Sequence, residues 1–178
     1  MNYLRRFVWY LSTRLMALTV VLSILIVGFY YAMNVANMQV VLTDGMAKRA
    51  RVVMMDESPD ELVKFFLPTF LERDEALLIE RDGSSPYKDY NINGIDHRLS
   101  MSWMWCWPWE DRARADITET IPKIDGHIKS NLRAAALEAG GEERLYPPRW
   151  RSAKYRATLV KQDGQWLIQG LQLLEVLD

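Results

Sequence analysis

The sequence predicts an α+β protein hung from its N-terminus: a transmembrane helix, then an antiparallel curved sheet packed with helices. Three observations predict it. Leu15 to Thr43 contains no Asp, Glu, Lys, Arg or His. Arg112 to Ile121 splits into one apolar and one polar file of alternate residues. Near the C-terminus, Asp163-Gly164 joins two strand-like runs.

The first element is the span. Leu15 to Tyr31 is nearly all apolar, and at about 1.5 Å per residue roughly 20 such residues cross a 30 Å hydrocarbon layer. A buried core helix is the soluble alternative, but such helices are rarely apolar on every side. A cleaved signal peptide is the other, and its apolar region is usually about 7–15 residues, shorter than this one. An uncleaved signal anchor fits best. Arg5, Arg6 and Arg14 precede the span with no acidic residue among them, and positive flanks of a first span stay in the cytoplasm. Lys48, Arg49 and Arg51 on the far side oppose that assignment. The expectation is a single-pass protein with its N-terminus cytoplasmic and its C-terminal domain extracytoplasmic. Trp9, Tyr10, Tyr30 and Tyr31 bracket the apolar core as interfacial aromatics do, and with Arg5, Arg6 and Arg14 they make the expected membrane-interface set.

Composition narrows the remainder. The chain has 178 residues and a net charge of −1, so about 130 residues beyond the span suffice for one domain of ordinary size. The absence of basic excess argues against nucleic acid as a partner. Cys106 is the single cysteine, which rules out an internal disulfide, and with only His97 and His127 beside it no metal site and no cofactor is expected. The expected layout is a basic tail at 1–14, the transmembrane helix at 15–35, a helical stalk at 36–56 with a break at Gly45, and the α+β domain at 57–178.

Within that domain Ser58-Pro59-Asp60-Glu61 reads as a helix start with a capping box. Leu62, Phe65, Phe66, Phe70 and Leu77 then form an apolar face interrupted at Pro68. Packing on its own domain is the ordinary role of such a face, and lying on a membrane is the alternative. Period-two alternation from His97 to Trp107 predicts a strand that turns at Pro108. The return strand places Ala113, Ala115, Ile117 and Ile121 on a dry face, with Arg112, Arg114, Asp116, Thr118 and Thr120 on a wet one. Asp125 to Gly141 reads as a helix stopped by its glycines. Ala153 to Lys161 and Gln165 to Val176 form the closing hairpin about Asp163-Gly164.

The closing run Tyr155 to Ile168, YRATLVKQDGQWLI, resembles the end of a nuclear transport factor 2-like domain, where a strand, a short turn and a Trp-bearing strand close a curved sheet around a helix-lined cone. The resemblance covers about Glu57 to Asp178, and the helix at Asp125 to Gly141 departs from its simplest form. A lipocalin-like or irregular sheet is the alternative. Enzymes of the resembled family use an Asp or a His with a Tyr inside the cone, which implies Asp96, His97, Tyr90 and Asp116 as the catalytic candidates here. Asp116 falls on the wet face, leaving His97 as the first choice, with Asp96 and Tyr90 as its companions.

The conspicuous cluster is Trp103, Trp105, Trp107 and Trp109, with Met101 and Met104 beside it. Each indole buries on the order of 150–250 Å². The rings can fill the sheet's core, line a cavity for a flat ligand, or form an exposed patch that meets a partner or a membrane. Trp103, Trp105, Trp107, Trp109 and Met101 are therefore the candidate ligand- or partner-binding residues. The layout of basic tail, span, stalk and head is similar to that of single-span scaffold subunits of bacterial secretion and conjugation machines. The expected function is non-catalytic docking of another membrane or envelope protein, with self-association and the lipid bilayer as further contacts. A membrane-anchored small-molecule binder with a Trp-lined pocket is the alternative, and an enzyme using His97 the next.

Overall fold

A computed structural model describes residues 2–102 and 104–177. Its first element, α1, is one uninterrupted helix over Asn2–Met55. Every residue from Leu15 to Tyr30 is exposed, whereas Met38, Leu42, Met46 and Ala50 are wholly buried. The two halves obey different rules. The first is apolar all round and exposed; the second buries one stripe at helical spacing against the sheet. Residues 36–55 are thus not a stalk standing clear of the head. They are the head's central helix.

The expected break at Gly45 does not occur. Gly45 is buried in α1 because the chain after the helix crosses it closely: a Cβ built there would lie 2.9 Å from Phe65 Cβ and 3.2 Å from Ile168 Cδ1. The glycine serves packing.

After α1 the chain forms a 3-10 turn at Pro59–Lys64, then α2 (Pro68–Leu71) and α3 (Glu75–Arg81). Ser58 caps the turn by accepting from Asp60 N, while Glu61 pairs with Lys48 at 2.7 Å instead of closing a capping box. Leu62, Phe66 and Leu77 are buried as their spacing implies. Pro68 breaks the helical pattern by starting a new helix.

The strands are β1 (Tyr90–Ile95), β2 (Arg98–Met101), β3 (Arg112–Thr120), β4 (Ile124–Ile128), β5 (Ser152–Gln162) and β6 (Gln165–Leu177), with α4 (Arg133–Gly140) between β4 and β5. β2, β3, β5 and β6 form an antiparallel four-stranded sheet in that order, and β1 and β4 form a separate antiparallel pair. The architecture is the expected α+β arrangement, an open antiparallel sheet with helices, and the sheet does not close into a barrel.

Two expected elements are corrected. Asp125 to Gly141 is not one helix, because Ile124 to His127 pair with β1, Ile124 opposite Ile95 and His127 opposite Asn91. A long-range ladder takes the hydrogen bonds that a local helix would have made, and only Arg133–Gly140 stays α-helical. The strand expected from His97 through the tryptophans ends at Met101. Residues 104–111 form instead an irregular loop. β3 follows its parity, with Ala113, Ala115 and Ile117 buried and Arg112 and Arg114 exposed. The closing hairpin turns at Asp163-Gly164, where both φ values are positive (50° and 82°), as a tight turn between right-twisted strands requires.

Candidate functional site

The loop from β2 to β3 is held by the end of the exposed part of α1. Tyr31 Oη donates to Met104 O at 3.0 Å, and Asn34 Nδ2 donates to Pro108 O at 3.4 Å. These two residues lie one helical turn apart, so the loop sits flat against that turn. Its other end is tied to the closing hairpin by Lys161 N donating to Asp111 O at 2.8 Å. Inside the loop, Glu110 accepts from Trp107 N at 2.8 Å and closes the turn at Pro108.

This anchoring sorts the aromatic cluster into two sides. Met104 and Cys106 point into the core, where burial pushes the Cys106 thiol pKa upward. Trp105, Trp107 and Trp109 point out and are 54%, 37% and 68% exposed. Their rings run on from Tyr31 as a ladder, with centroid separations of 5.3 Å from Tyr31 to Trp105, 5.0 Å from Trp105 to Trp107 and 5.1 Å from Trp107 to Trp109. Met101 lies in β2 opposite Ile117 and is half-buried. With Tyr31, Val35 and Met104 it lines an open groove of about 590 Å³ beside the ladder. Trp103 falls outside the described residues. The three described indoles do not wall in a cavity. They cover one another and the surface of α1.

The catalytic candidates do not converge. The Tyr90 hydroxyl donates to Arg144 O at 3.2 Å. Asp96 takes a bidentate contact from Arg98 at 3.1 and 2.6 Å, which holds its carboxyl below the usual range. Asp116 is likewise paired with Arg156 across the sheet at 2.8 and 3.1 Å and lowered by it. His97 turns inward, its Nε2 3.0 Å from Glu119 Oε1.

Glu119 is the residue that sequence reasoning missed. It is wholly buried, in the same file of β3 as Ala113, Ala115 and Ile117. Its second oxygen accepts from Trp150 Nε1 at 3.4 Å. Parity carried the signal: an odd-numbered carboxylate among odd-numbered apolar residues belongs to the dry face and must find donors there. Beside it runs a second buried pair. Arg49 of α1 meets Asp74 in a bidentate contact at 2.9 and 3.0 Å, and Asp74 also caps α3 by accepting from Leu77 N. Burial works against the Arg49 charge, but the Asp74 carboxylate outweighs it and holds the guanidinium above its ordinary pKa. The Arg49–Asp74 pair ties α1 to α3, and Glu119 ties β3 to His97 and Trp150. Of the catalytic candidates, Tyr90 borders an open cavity of about 560 Å³ together with Asp56, Glu80, Tyr87, Lys88 and Lys129.

At the other end of the chain, Arg5, Arg6, Trp9, Tyr10 and Arg14 are all exposed on α1, with the Arg14 guanidinium 5.3 Å from the Tyr10 ring centre. Tyr30 is exposed and Tyr31 half-buried at the far end of the apolar run. That run makes α1 long and apolar enough to cross a membrane. The chain matches no protein-family model and no curated protein.

Proposed function

We propose that this is a single-span membrane protein whose non-catalytic head, nuclear transport factor 2-like in layout, lies outside the cytoplasm and docks another membrane or envelope protein or a second copy of itself. The observation that carries the reading is that one helix serves both as span and as core. The half of α1 exposed on every side is apolar over a membrane's thickness, and the half that follows is the element on which the head is built. Such a helix transmits the orientation of the span rigidly to the head, which suits a structural subunit better than a tethered catalyst. The spending of His97 and Glu119 on each other supports the non-catalytic reading. A helix lying on a four-stranded sheet whose last strand carries the buried Trp166 supports the likeness in layout.

Charge supports the orientation. Of the three basic residues of α1 beyond the span, Lys48 is paired with Glu57 and Glu61 and Arg49 with Asp74, which leaves Arg51 as the exposed one without an ion pair among the described residues. Docking is supported by β6, which forms one edge of the sheet. Phe66 and Leu67 cover that edge at Ile168, but no described residue pairs with it past Gly170, where Leu173, Leu174 and Val176 are exposed. An edge of this kind receives a strand from a partner protein.

The test is the native mass of the full-length protein extracted in mild detergent. A stoichiometric complex, homomeric or with a second membrane protein, that is lost in Leu174→Lys/Val176→Lys while the circular dichroism stays unchanged is the expected result. A wild-type protein that runs as a lone chain overturns the reading.

A further inference from the structure

The uncharged run of α1 begins at Leu15, and the first buried residue after Leu15 is Asn34. From one to the other is about 30 Å of helix, one hydrocarbon thickness. The β2–β3 loop is bonded to Tyr31 and Asn34, the last turn of that length. Its height is therefore fixed at the level where α1 leaves hydrocarbon, on the side from which the head emerges. At that level the loop presents Trp105, Trp107 and Trp109, continuous with Tyr31, and nothing described in the head covers them.

Three exposed indoles in one patch are costly in water, but they match the boundary between acyl chains and headgroups. There the ring body is apolar and the indole N–H finds phosphate or carbonyl oxygen. The flanking charges of the loop, Glu110, Asp111 and Arg112, are of mixed sign and suit a zwitterionic headgroup layer. The open groove lined by Tyr31, Val35, Met101 and Met104 lies at the same level.

We propose that Trp105, Trp107 and Trp109 form a second membrane contact, seated in the interface of the leaflet from which α1 emerges, so that span and loop together clamp the head against a phospholipid surface. The proposal rests on α1 crossing the bilayer, and the experiment separates the two. Full-length protein in the Cys106→Ala background is reconstituted in phosphatidylcholine vesicles. Single cysteines replacing Leu25, Asp111 or Ser84 carry an NBD fluorophore, and the vesicles contain lipids with a nitroxide at a shallow or a deep acyl position. Leu25 lies mid-span, Asp111 beside the ladder, and Ser84 near the far end of α1, where its neighbour Ser85 bonds Val53 O.

Shallow nitroxide is expected to quench the Asp111 label several-fold more than the Ser84 label. Trp105→Ser/Trp107→Ser/Trp109→Ser is expected to abolish most of that difference with the circular dichroism unchanged. A quenched Leu25 label beside an Asp111 label no more quenched than Ser84 overturns the proposal and leaves the span intact. An Asp111 label that is blue-shifted yet shielded from lipid nitroxide also overturns it, because a second protein copy then covers the ladder. An unquenched Leu25 label overturns both the clamp and the span.

Discussion

Glu119 accepts two hydrogen bonds, from His97 and from Trp150. Glu119→Leu fits the dry face of β3 but leaves the buried His97 ring and the half-buried Trp150 indole without this acceptor. At about 1–3 kcal/mol for a buried orphaned group, and less for the half-buried indole, an unfolding stability lower by about 1–4 kcal/mol is expected. Glu119→Gln keeps the shape and one acceptor oxygen and should lose less than half as much. Denaturant unfolding in detergent, followed by circular dichroism, measures both, and equal losses would mean that the carboxylate's charge rather than its bonds is what matters. Tyr87 allows a second test at this scale. Burial raises its hydroxyl to about 12, against about 10 in an unfolded chain. Between those values the native state holds a proton that the unfolded chain has lost, so native stability is complete below about pH 10 and declines as the pH rises toward 12. The loss approaches about 3 kcal/mol, at 1.4 kcal/mol per pH unit. Tyr87→Phe has no proton to lose, and its stability should stay flatter over the same range. Parallel pH-dependent unfolding curves for the two proteins would contradict the assignment.

In its buried half α1 runs through Gly45, a residue of poor helix propensity. An alanine in place of Gly45 would favour the isolated helix by about 0.5–1 kcal/mol. In the folded head its Cβ meets Phe65 Cβ at 2.9 Å, and overpacking of this kind costs about 1–3 kcal/mol. Gly45→Ala is therefore expected to lower the melting temperature of the head, and a stabilised variant would show that the crossing chain yields easily. Gly45 also illustrates what could be read in advance. A glycine within a polar-apolar alternation looks like a break when only neighbours in sequence are visible, and the partner that explains it, Phe65, lies twenty residues on. The elements that depend on local signals were legible: the alternation of β3, the Asp163-Gly164 turn and the Pro68 interruption. Those decided by distant partners were not. Period-two spacing from His97 to Trp107 fits a strand, yet Tyr31 and Asn34 take the backbone of the second half, and the rings stack as a loop. Ile124 to Ile128 suit a helix until β1 lies beside them. Glu119 was legible in principle, because the parity that sorted its neighbours sorted it too.

The whole molecule is polarised along α1, and its charges define the polarity. Arg5, Arg6 and Arg14 stand exposed before the span and form no ion pair among the described residues. On the far side, Lys48 lies about 26 Å of helix beyond Tyr31 and is held by two glutamates, as Arg49 is by Asp74. Arg51 alone stays exposed without an ion pair among the described residues there, so a bare count of three basic residues on each side hides a difference of three free charges against one. Orientation is set by positive charge near the ends of the span, and a charge committed to a carboxylate contributes less to retention. The buried Cys106 leaves the surface free of thiols for a direct test. With a membrane-impermeant maleimide, Ser84→Cys should be labelled in intact cells, and Tyr3→Cys only after permeabilisation. Replacing Arg5, Arg6 and Arg14 by Gln in the Ser84→Cys protein should reduce the labelled fraction, because these are the positively charged side chains of residues 1–14. Labelling of Tyr3→Cys in intact cells, with Ser84→Cys protected, would place the head in the cytoplasm. The Trp105–Trp109 ladder would then face the inner leaflet, and the partner would have to be sought on that side.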